Sequence, residues 1–312
     1  MTTIRDVARI SGYSVSTVSR VLNHKNYVSD EVRKNIQKVI AELDYVPNDV
    51  ARDLSRGRTM NIGVVVPNID HPYYTDIVRG IMAAAFAAGY NVLMLPSKYD
   101  AVVEHGYLDQ LRRHAFDGLI FTSHTMPVAD MVPYKQYGEV VVCHDPGQID
   151  ISAAFTERGP SYRAAFRWVQ RRHYRRVGLV LPRDIDISAT SSATITAYKD
   201  VFGVEPEPSL IRTGVMSYDD GYAAAEYYGT NNLAPDFIFA NGDDIAAGVL
   251  QYYRDGHLTP PTVMGQENQL SGQLLGIPTI DHHFRDVGAA ALRLAIGAAE
   301  GQFPVHSDFI PR

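Results

Sequence analysis

Within the seven residues 14–20 stand five side chains that could hold a polyanion: Ser14, Ser16, Thr17, Ser19 and Arg20. Hydroxyls donate to phosphate oxygens, and a guanidinium can pair bidentately with a guanine edge. Such chemistry needs one exposed helix face to carry it, and the flanking sequence predicts one. Thr3 is a good N-cap with Asp6 three residues on, and Val7, Ala8 and Ile10 give the first helix an apolar side. Gly12 ends that helix, as a residue tolerating positive φ should. Ser14 then caps a second helix in which Val18, Val21 and Leu22 face inward, leaving Val15, Ser16, Ser19 and Arg20 outward. The small Ala8 allows close approach of the two helices, which describes a helix-turn-helix whose second helix enters the major groove by its N-terminal end. From these residues alone, a helical hairpin with solvated serines stays open.

The run 28–47 predicts a third helix, capped at Ser29, acidic in its first turn, with Val32, Ile36, Val39, Ile40 and Leu43 on one face and Pro47 as its stop. The stretch 48–58 is too short and polar for a stable isolated helix, and is expected to order on DNA. Residues 1–60 carry ten Lys and Arg against seven Asp and Glu, whereas the remainder carries nineteen against twenty-eight. Positive charge therefore gathers where nucleic acid would lie, although this asymmetry is mild. The single cysteine, Cys143, excludes an internal disulfide and a thiolate zinc cluster, and its apolar surroundings suggest a buried inert thiol. Neither a signal peptide nor an apolar span of transmembrane length is present, so a cytoplasmic protein with no membrane partner is expected.

From residue 61 strand and helix alternate. Residues 61–67 form a continuous apolar run suited to a buried parallel strand, followed by a helix through Ile77, Ile81 and Ala84 to Gly89. Strands are expected at 92–95, 118–122 and 140–143, with a helix at 102–114. A linker containing Gly147 and Gly159-Pro160 precedes a second set: helices at 161–172, 194–202, 219–228 and 245–255, and strands at 177–181, 210–213, 237–240 and 262–264. Two such series imply two doubly wound parallel-sheet subdomains with a ligand at the carboxyl ends of their strands.

Asp6-Val-Ala, Gly12-Tyr-Ser, Thr17-Val-Ser-Arg-Val-Leu-Asn23 and Tyr45-Val-Pro-Asn48…Ala51…Leu54 resemble the LacI/GalR family of bacterial transcription regulators. Ile62-Gly-Val-Val-Val-Pro, Asp70-His-Pro-Tyr-Tyr, Ile77-Val-Arg-Gly-Ile81, Asp117-Gly-Leu-Ile120 and Gly265-Gln-Glu-Asn268 continue the resemblance into the family's effector-binding core, itself similar to periplasmic sugar-binding proteins. The resemblance implies a three-helix helix-turn-helix headpiece (1–47), a hinge helix and linker (48–60), and an α/β periplasmic-binding-protein-like core (61–312). In that core, subdomain 1 takes about 61–158 and 283–304, subdomain 2 about 159–280 and 305–312. A helix over 287–300 would complete the first, and 307–311 would add a strand to the second. Val15 and Ser16, with Arg20, would set operator preference, and Leu54 would wedge into a minor-groove step. Thr3, Arg5, Ser14, Thr17, Ser19, Asn23, Tyr27, Asn48, Val50 and Ala51 complete the DNA-facing set. With no heptad-bearing tail after Arg312, a homodimer reading a pseudopalindromic double-stranded operator is expected.

By the same resemblance Asp70, Tyr73, Tyr74, Ser123, Asp145, Thr194, Asp243, Glu267 and His282 match places that commonly face the effector. Carboxylates and amides bond sugar hydroxyls, and tyrosine faces stack on sugar C–H surfaces; each of these residues could equally be structural, with helix capping the commoner role for Asp145 and Asp243. Thr194 stands where many members carry an arginine for the ligand. Asn241-Gly-Asp-Asp244 shifts the family's usual Asn-Asp pair, and Gly265-Gln-Glu-Asn268 replaces a more usual Tyr-Asp pair. These departures favour a neutral saccharide over a sugar phosphate or purine. Its binding would change how the subdomains close and pair across the dimer, and so the spacing of the hinges. No P-loop, Gly-x-Ser-x-Gly elbow or His-Glu-x-x-His occurs, so neither catalytic residues nor a cofactor are expected. His282 and His283, adjacent on a strand, point to opposite faces and are not expected to share a metal. The alternatives are a regulator whose corepressor is a phosphoprotein docking on the surface, and a sugar-binding receptor that does not bind DNA.

Overall fold

The computed structural model describes residues 2–23, 27–46, 57–67 and 72–312. The expected contacts of Asn48, Val50, Ala51, Leu54 and Asp70, and the hinge helix itself, lie outside these residues. The chain divides into two compact units, Met1–Thr59 and Met60–Arg312.

In the first unit α1 (Ile4–Ser11) opens with a capping box: Asp6 N–H donates to Thr3 Oγ1 at 3.3 Å while Thr3 N–H donates to Asp6 Oδ2 at 3.0 Å. Gly12, at φ 76°, turns the chain into α2 (Val15–Leu22), and α3 (Asp30–Glu42) packs across both. Val7, Ala8, Val18, Val21, Ile36 and Val39 form the core. Ile10, assigned to the apolar side of α1, is 48% exposed, because Val7, Ala8 and Ser11 occupy the inward stripe of this short helix. Ser29 takes the N-cap position of α3, but its side chain makes no capping bond.

The second unit runs β1 (Asn61–Val66), α4 (Pro72–Ala88), β2 (Asn91–Pro96), α5 (Ala101–Arg112), β3 (Gly118–Phe121), α6 (Val128–Met131), β4 (Glu139–Val142), β5 (Ser152–Glu157), α7 (Arg158–Arg171), β6 (Val177–Val180), α8 (Ala189–Phe202), β7 (Ile211–Arg212), α9 (Tyr218–Thr230), β8 (Phe237–Ala240), α10 (Asp243–Asp255), β9 (Thr262–Met264), α11 (Leu270–Leu275), β10 (Thr279–Asp281), α12 (Phe284–Ala295), β11 (Gln302–His306) and β12 (Asp308–Ile310). A six-stranded sheet has the order β11-β5-β4-β3-β1-β2 and a four-stranded sheet the order β7-β6-β8-β9. All pairings in both are parallel, whereas β10 and β12 pair antiparallel.

The apolar runs follow from burial on both faces. In β1, Ile62, Val64 and Val66 pack under α4 and α12, while Val65 joins Leu119, Phe121, Val140 and Val142 on the other face. Phe237 and Phe239 of β8 pack with Phe166 and Trp168 of α7, and Ile238 and Ala240 pack with Ala225 and Val249 of α9 and α10.

Several boundaries correct the sequence reading. The expected linker contains β5, a strand inside the six-stranded sheet, and α7 starts at Arg158, three residues early. β5 escapes notice because Ser152-Ala-Ala-Phe-Thr-Glu157 has one large apolar residue, Phe155, among its buried positions, the others being two alanines and a threonine. The last helix stops at Ala295, not near 300; Gly297, at φ 68°, ends the run, and 302–306 becomes the edge strand β11. α8 begins at Ala189 because the Ser188 hydroxyl accepts from Ser191 N–H at 3.2 Å, so Thr194 lies more than a turn inside the helix.

α4 and α12 approach through facing glycines: a Cβ at Gly80 would overlap the Arg285 carbonyl, and one at Gly288 the Ile77 carbonyl. Gly106, in α5, has open space instead. Gly288→Ala should therefore lower the stability measured by denaturant unfolding by about 1–3 kcal/mol, the usual cost of overpacking. Gly106→Ala should be neutral or stabilising by up to about 1 kcal/mol, through lost unfolded-state freedom.

Candidate DNA-reading face and ligand cleft

Val18 and Val21 anchor α2 in the core, and the opposite side of the helix is therefore presented outward. Ser14, Val15, Ser16 and Arg20 are exposed, and Thr17 and Ser19 half-buried. The Ser14 hydroxyl accepts from Thr17 N–H at 3.2 Å and lies 2.8 Å from Ser16 Oγ and 2.9 Å from Thr17 Oγ1, which holds the first turn together. Asn23 Nδ2 donates to Ser19 O at 2.8 Å, closing the other end. Thr3 and Arg5 on α1 are exposed, and Tyr27 is 90% exposed. A short helix that exposes small residues and one arginine on the side away from its core suits entry into a DNA groove.

In the second unit a cavity of about 450 Å³ collects residues from the carboxyl ends of strands in both parallel sheets. Thr122, Ser123 and His124 follow β3, His144 follows β4, Arg158 follows β5, Arg183 follows β6, Asn241 follows β8, and Gln266 and Glu267 follow β9. Tyr73 and Tyr74 enter from α4, and His282 and Phe284 from the β10–α12 junction.

Hydrogen bonds fix most of this lining. Tyr73 OH donates towards Thr122 O at 3.1 Å and Cys143 O at 3.3 Å, tying α4 to the ends of β3 and β4. Tyr74 OH lies 2.5 Å from Tyr99 OH, which reaches Ser123 Oγ at 3.3 Å. The Arg183 guanidinium sits over the Tyr99 ring, 4.6 Å from its centroid, as a cation–π pair. The buried Glu104 carboxylate accepts from Thr125 N–H and Met126 N–H, each at 3.0 Å, and so pins the loop that carries Ser123 and His124. His124 Nδ1 must carry a proton to meet Met126 O at 2.7 Å, leaving its Nε2 to accept from His144 Nδ1 at 3.3 Å.

Burial governs the charge states. It lifts the Tyr73 and Tyr74 phenols well above their ordinary values. It also raises the Glu267 carboxyl well above the usual carboxylate range, with the charge of Asp243 adding to it and Arg158 opposing it. Desolvation and the neighbouring His124 bring His144 down to about 4.

Of the residues expected to face an effector, Tyr73, Tyr74, Ser123, Glu267 and His282 line this cavity, and Asp145, Thr194 and Asp243 do not. Asp145 is exposed and accepts from Gly147 N–H at 2.8 Å, shaping a turn. Thr194 is buried, its hydroxyl turned back to Thr190 O at 2.9 Å. Asp243 is fully buried, accepting from Thr279 Oγ1 at 2.7 Å and Gln269 N–H at 2.6 Å, and its carboxyl is pushed up to about 6 by burial. It clasps the loops after β9 and before β10, and a Cβ at Gly265 or Gly272 would strike it. Sequence reasoning missed Tyr99, His124, His144, Arg158 and Gln266 as lining residues. Two of them carry a usable signal, since His124 and His144 each lie just past an apolar strand; Arg158 follows β5, which the pattern concealed.

Among the described residues no helix is long and apolar enough to cross a membrane, and no group of three or more His, Cys, Asp and Glu is placed to hold a metal ion. A helix-turn-helix unit joined in one chain to a two-sheet α/β unit with a cleft at its strand ends defines a ligand-responsive transcription regulator. Residues 3–48 match the family described as bacterial regulatory proteins, lacI family, and residues 59–271 match periplasmic binding proteins and the sugar binding domain of that family. The chain belongs to the lacI family of bacterial transcription regulators. Catabolite control protein B of Bacillus subtilis is 37% identical over 99% of both chains. The ribose operon repressor of Halalkalibacterium halodurans is 27% identical, covering 96% of this chain and 91% of its own. The lac repressor dimer bound to operator and an anti-inducer superposes with a TM-score of 0.83 at 20% identity, over 100% of this chain and 98% of that one.

The His144 pair provides a pH test. A folded pKa of about 4, below the ordinary 6.5, means that the unfolded chain takes up a proton before the folded one does. The stability contributed by the neutral imidazole is thus present above pH 6.5 and lost as pH falls towards 4. His144→Gln should melt with a shallower acid dependence across that window than the parent protein.

Proposed function

We propose that this protein is a sequence-specific repressor of carbohydrate-utilisation genes, acting as a homodimer on a pseudopalindromic operator in the cytoplasm, with its affinity set by a neutral saccharide in the cleft. The observation that carries the reading is the pairing, in one chain, of the exposed Val15, Ser16 and Arg20 face with a cavity of about 450 Å³ walled by phenols, hydroxyls, amides and charged groups. Polar side chains at that density suit a polyol, and the tyrosine rings offer faces to its C–H surface. Relatives support the class of ligand and target: one is named a ribose operon repressor, and a solved regulator with a TM-score of 0.70 holds cellobiose.

In this reading Arg20 pairs with a base edge, Val15 and Ser16 discriminate by fit, and Ser14, Thr17 and Ser19 contact phosphates. Thr3, Arg5, Asn23, Tyr27, Asn48, Val50, Ala51 and Leu54 complete the contact surface. Met82 and Phe86 of α4, Leu93 and Met94 of the edge strand β2, and Val102 of α5 are exposed apolar residues on consecutive elements, and supply the surface for pairing two copies. Saccharide contacts from both sheets couple their relative position to the ligand, and through it to the DNA-reading units.

Arg20→Ala should weaken operator binding by about ten- to a hundredfold, the worth of one bidentate base contact, with an unchanged melting curve. Gel-shift titration checks this; undiminished affinity would remove Arg20 from the base-reading role. Glu267→Ala should abolish the response of DNA affinity to a stabilising neutral sugar while leaving sugar-free binding intact. A full response in that variant would displace the ligand from this cleft.

A further inference from the structure

Between Arg158 and Arg183 the chain holds eight arginines and no lysine, aspartate or glutamate. Four of them have a place already: Arg158 and Arg183 line the cleft, Arg163 pairs with Asp200 at 3.4 Å and Arg176 with Glu207 at 3.6 Å. Arg167, Arg171, Arg172 and Arg175 are exposed, and none of the four makes an ion pair among the described residues. The carboxyl end of α7, at Arg171, accounts for one such cation through its dipole. Four within nine residues exceed that need, and concentrate positive charge on a chain whose net charge is −6. Arg172 is also held in place, its guanidinium 3.9 Å from the centroid of the buried Trp168 ring.

The loop that follows is joined to a groove of about 630 Å³ at the amino ends of β8 and β9. Asp236, in the groove wall, accepts from Arg175 N–H at 2.8 Å and Arg176 N–H at 3.0 Å. Tyr174 OH lies 2.7 Å from Oγ1 of Thr262, which stands in the same wall. The remainder of the wall is largely apolar, with Leu233, Pro235, Tyr253, Leu258, Pro260 and Pro261, and Leu258 is 49% exposed. Its three prolines have no N–H and a fixed φ, so this wall suits an inserted apolar side chain better than an added strand. The cleft lies at the carboxyl ends of the same parallel strands, and the groove therefore at the opposite end of the sheet.

We propose that this surface docks a protein partner through an acidic segment that carries an apolar anchor. Carboxylates meet Arg167, Arg171, Arg172 and Arg175, and a leucine or aromatic side chain fills the groove beside them. Guanidinium forks match carboxylates bidentately, and an apolar anchor in a pocket rimmed by polar pairs is the layout of a specific interface. The phosphates of a duplex would satisfy the arginines but leave the groove empty, which favours protein over nucleic acid. With the cleft at the other end of the sheet, the partner and a cleft ligand bind without obstructing each other.

The test is selection of a phage-displayed random dodecapeptide library on the full-length protein and on the combined variant Arg167→Gln, Arg171→Gln, Arg175→Gln. Peptides that join Asp or Glu to Leu, Phe or Trp should be enriched on the parent and not on the variant. A selected peptide, labelled with fluorescein and followed by anisotropy, should bind more weakly as salt rises and lose about tenfold or more in affinity to the arginine variant. Leu258→Ser should cost it about three- to tenfold, as removal of an anchor contact. Melting curves matching the parent's guard against misfolding of either variant. Peptides without acidic residues, equal enrichment on the arginine variant, unchanged affinity in Leu258→Ser, or no enrichment at all each overturn the proposal. A random-sequence duplex that weakens on the arginine variant, with no acidic peptide enriched, overturns it in favour of nucleic acid.

Discussion

In both large sheets of the second unit every strand runs parallel to its neighbours, and that constraint places nearly everything else. A parallel strand must be followed by a crossover that returns the chain to the other end, so all loops leaving the carboxyl ends gather on one edge. Both faces of such a sheet are covered, which confines the strands to apolar residues such as Ile62-Gly-Val-Val-Val66 and Phe237-Ile-Phe-Ala240. Polar side chains are thereby displaced to the strand ends. The cavity is lined by residues that follow β2, β3, β4, β5, β6, β8, β9 and β10 because the topology delivers those strand ends there.

Once polar groups converge in a buried place, each must find a partner or shift its charge. Glu104 solves this by accepting from the backbone of the loop after β3, and Asp243 by clasping Thr279 and the Gln269 amide. These carboxylates are construction elements that hold loops. Glu267 accepts from Gln269 Nε2 at 3.0 Å and also lines the cavity, where desolvation with neighbouring negative charge raises its pKa well above the usual range. The lining thus includes groups held by the protein, such as Tyr73 and Gln266, while His282 Nδ1 and Arg158 Nε are buried without a hydrogen-bond partner among the described residues.

The first unit obeys a different economy of scale. Among the described residues, three short helices bury six apolar side chains, with Val7, Val18 and Ile36 completely covered. Capping therefore matters more here than in the second unit: the Thr3–Asp6 box and the Ser14 cap set the ends of α1 and α2, and Gly12 sets the turn between them. With the inward stripe fixed by Val18 and Val21, the outward direction of Val15, Ser16 and Arg20 follows from the helical repeat alone.

Local signals were sufficient wherever one interaction range decided the outcome. The helix-turn-helix, the apolar strands β1, β3, β6 and β8, and the α/β alternation are legible because caps, turns and hydrophobic periods act over a few residues. β5 and β11 are not, since Ser152-Ala-Ala-Phe-Thr-Glu157 and Gln302-Phe-Pro-Val-His306 become strands through pairing with each other and, for β5, with β4, not through their own pattern. The same limit governs the cleft. The sequence by itself determined that Tyr73, Glu267 and His282 were candidates and that Thr194 is no arginine. Only the tertiary structure decided that Arg158 comes to the cavity, that Asp145, Thr194 and Asp243 turn away to cap or clasp, and that Gln266 bonds both Tyr162 and His282. Those outcomes depend on which strand ends lie beside one another, and contacts of that range carry no periodicity in the chain.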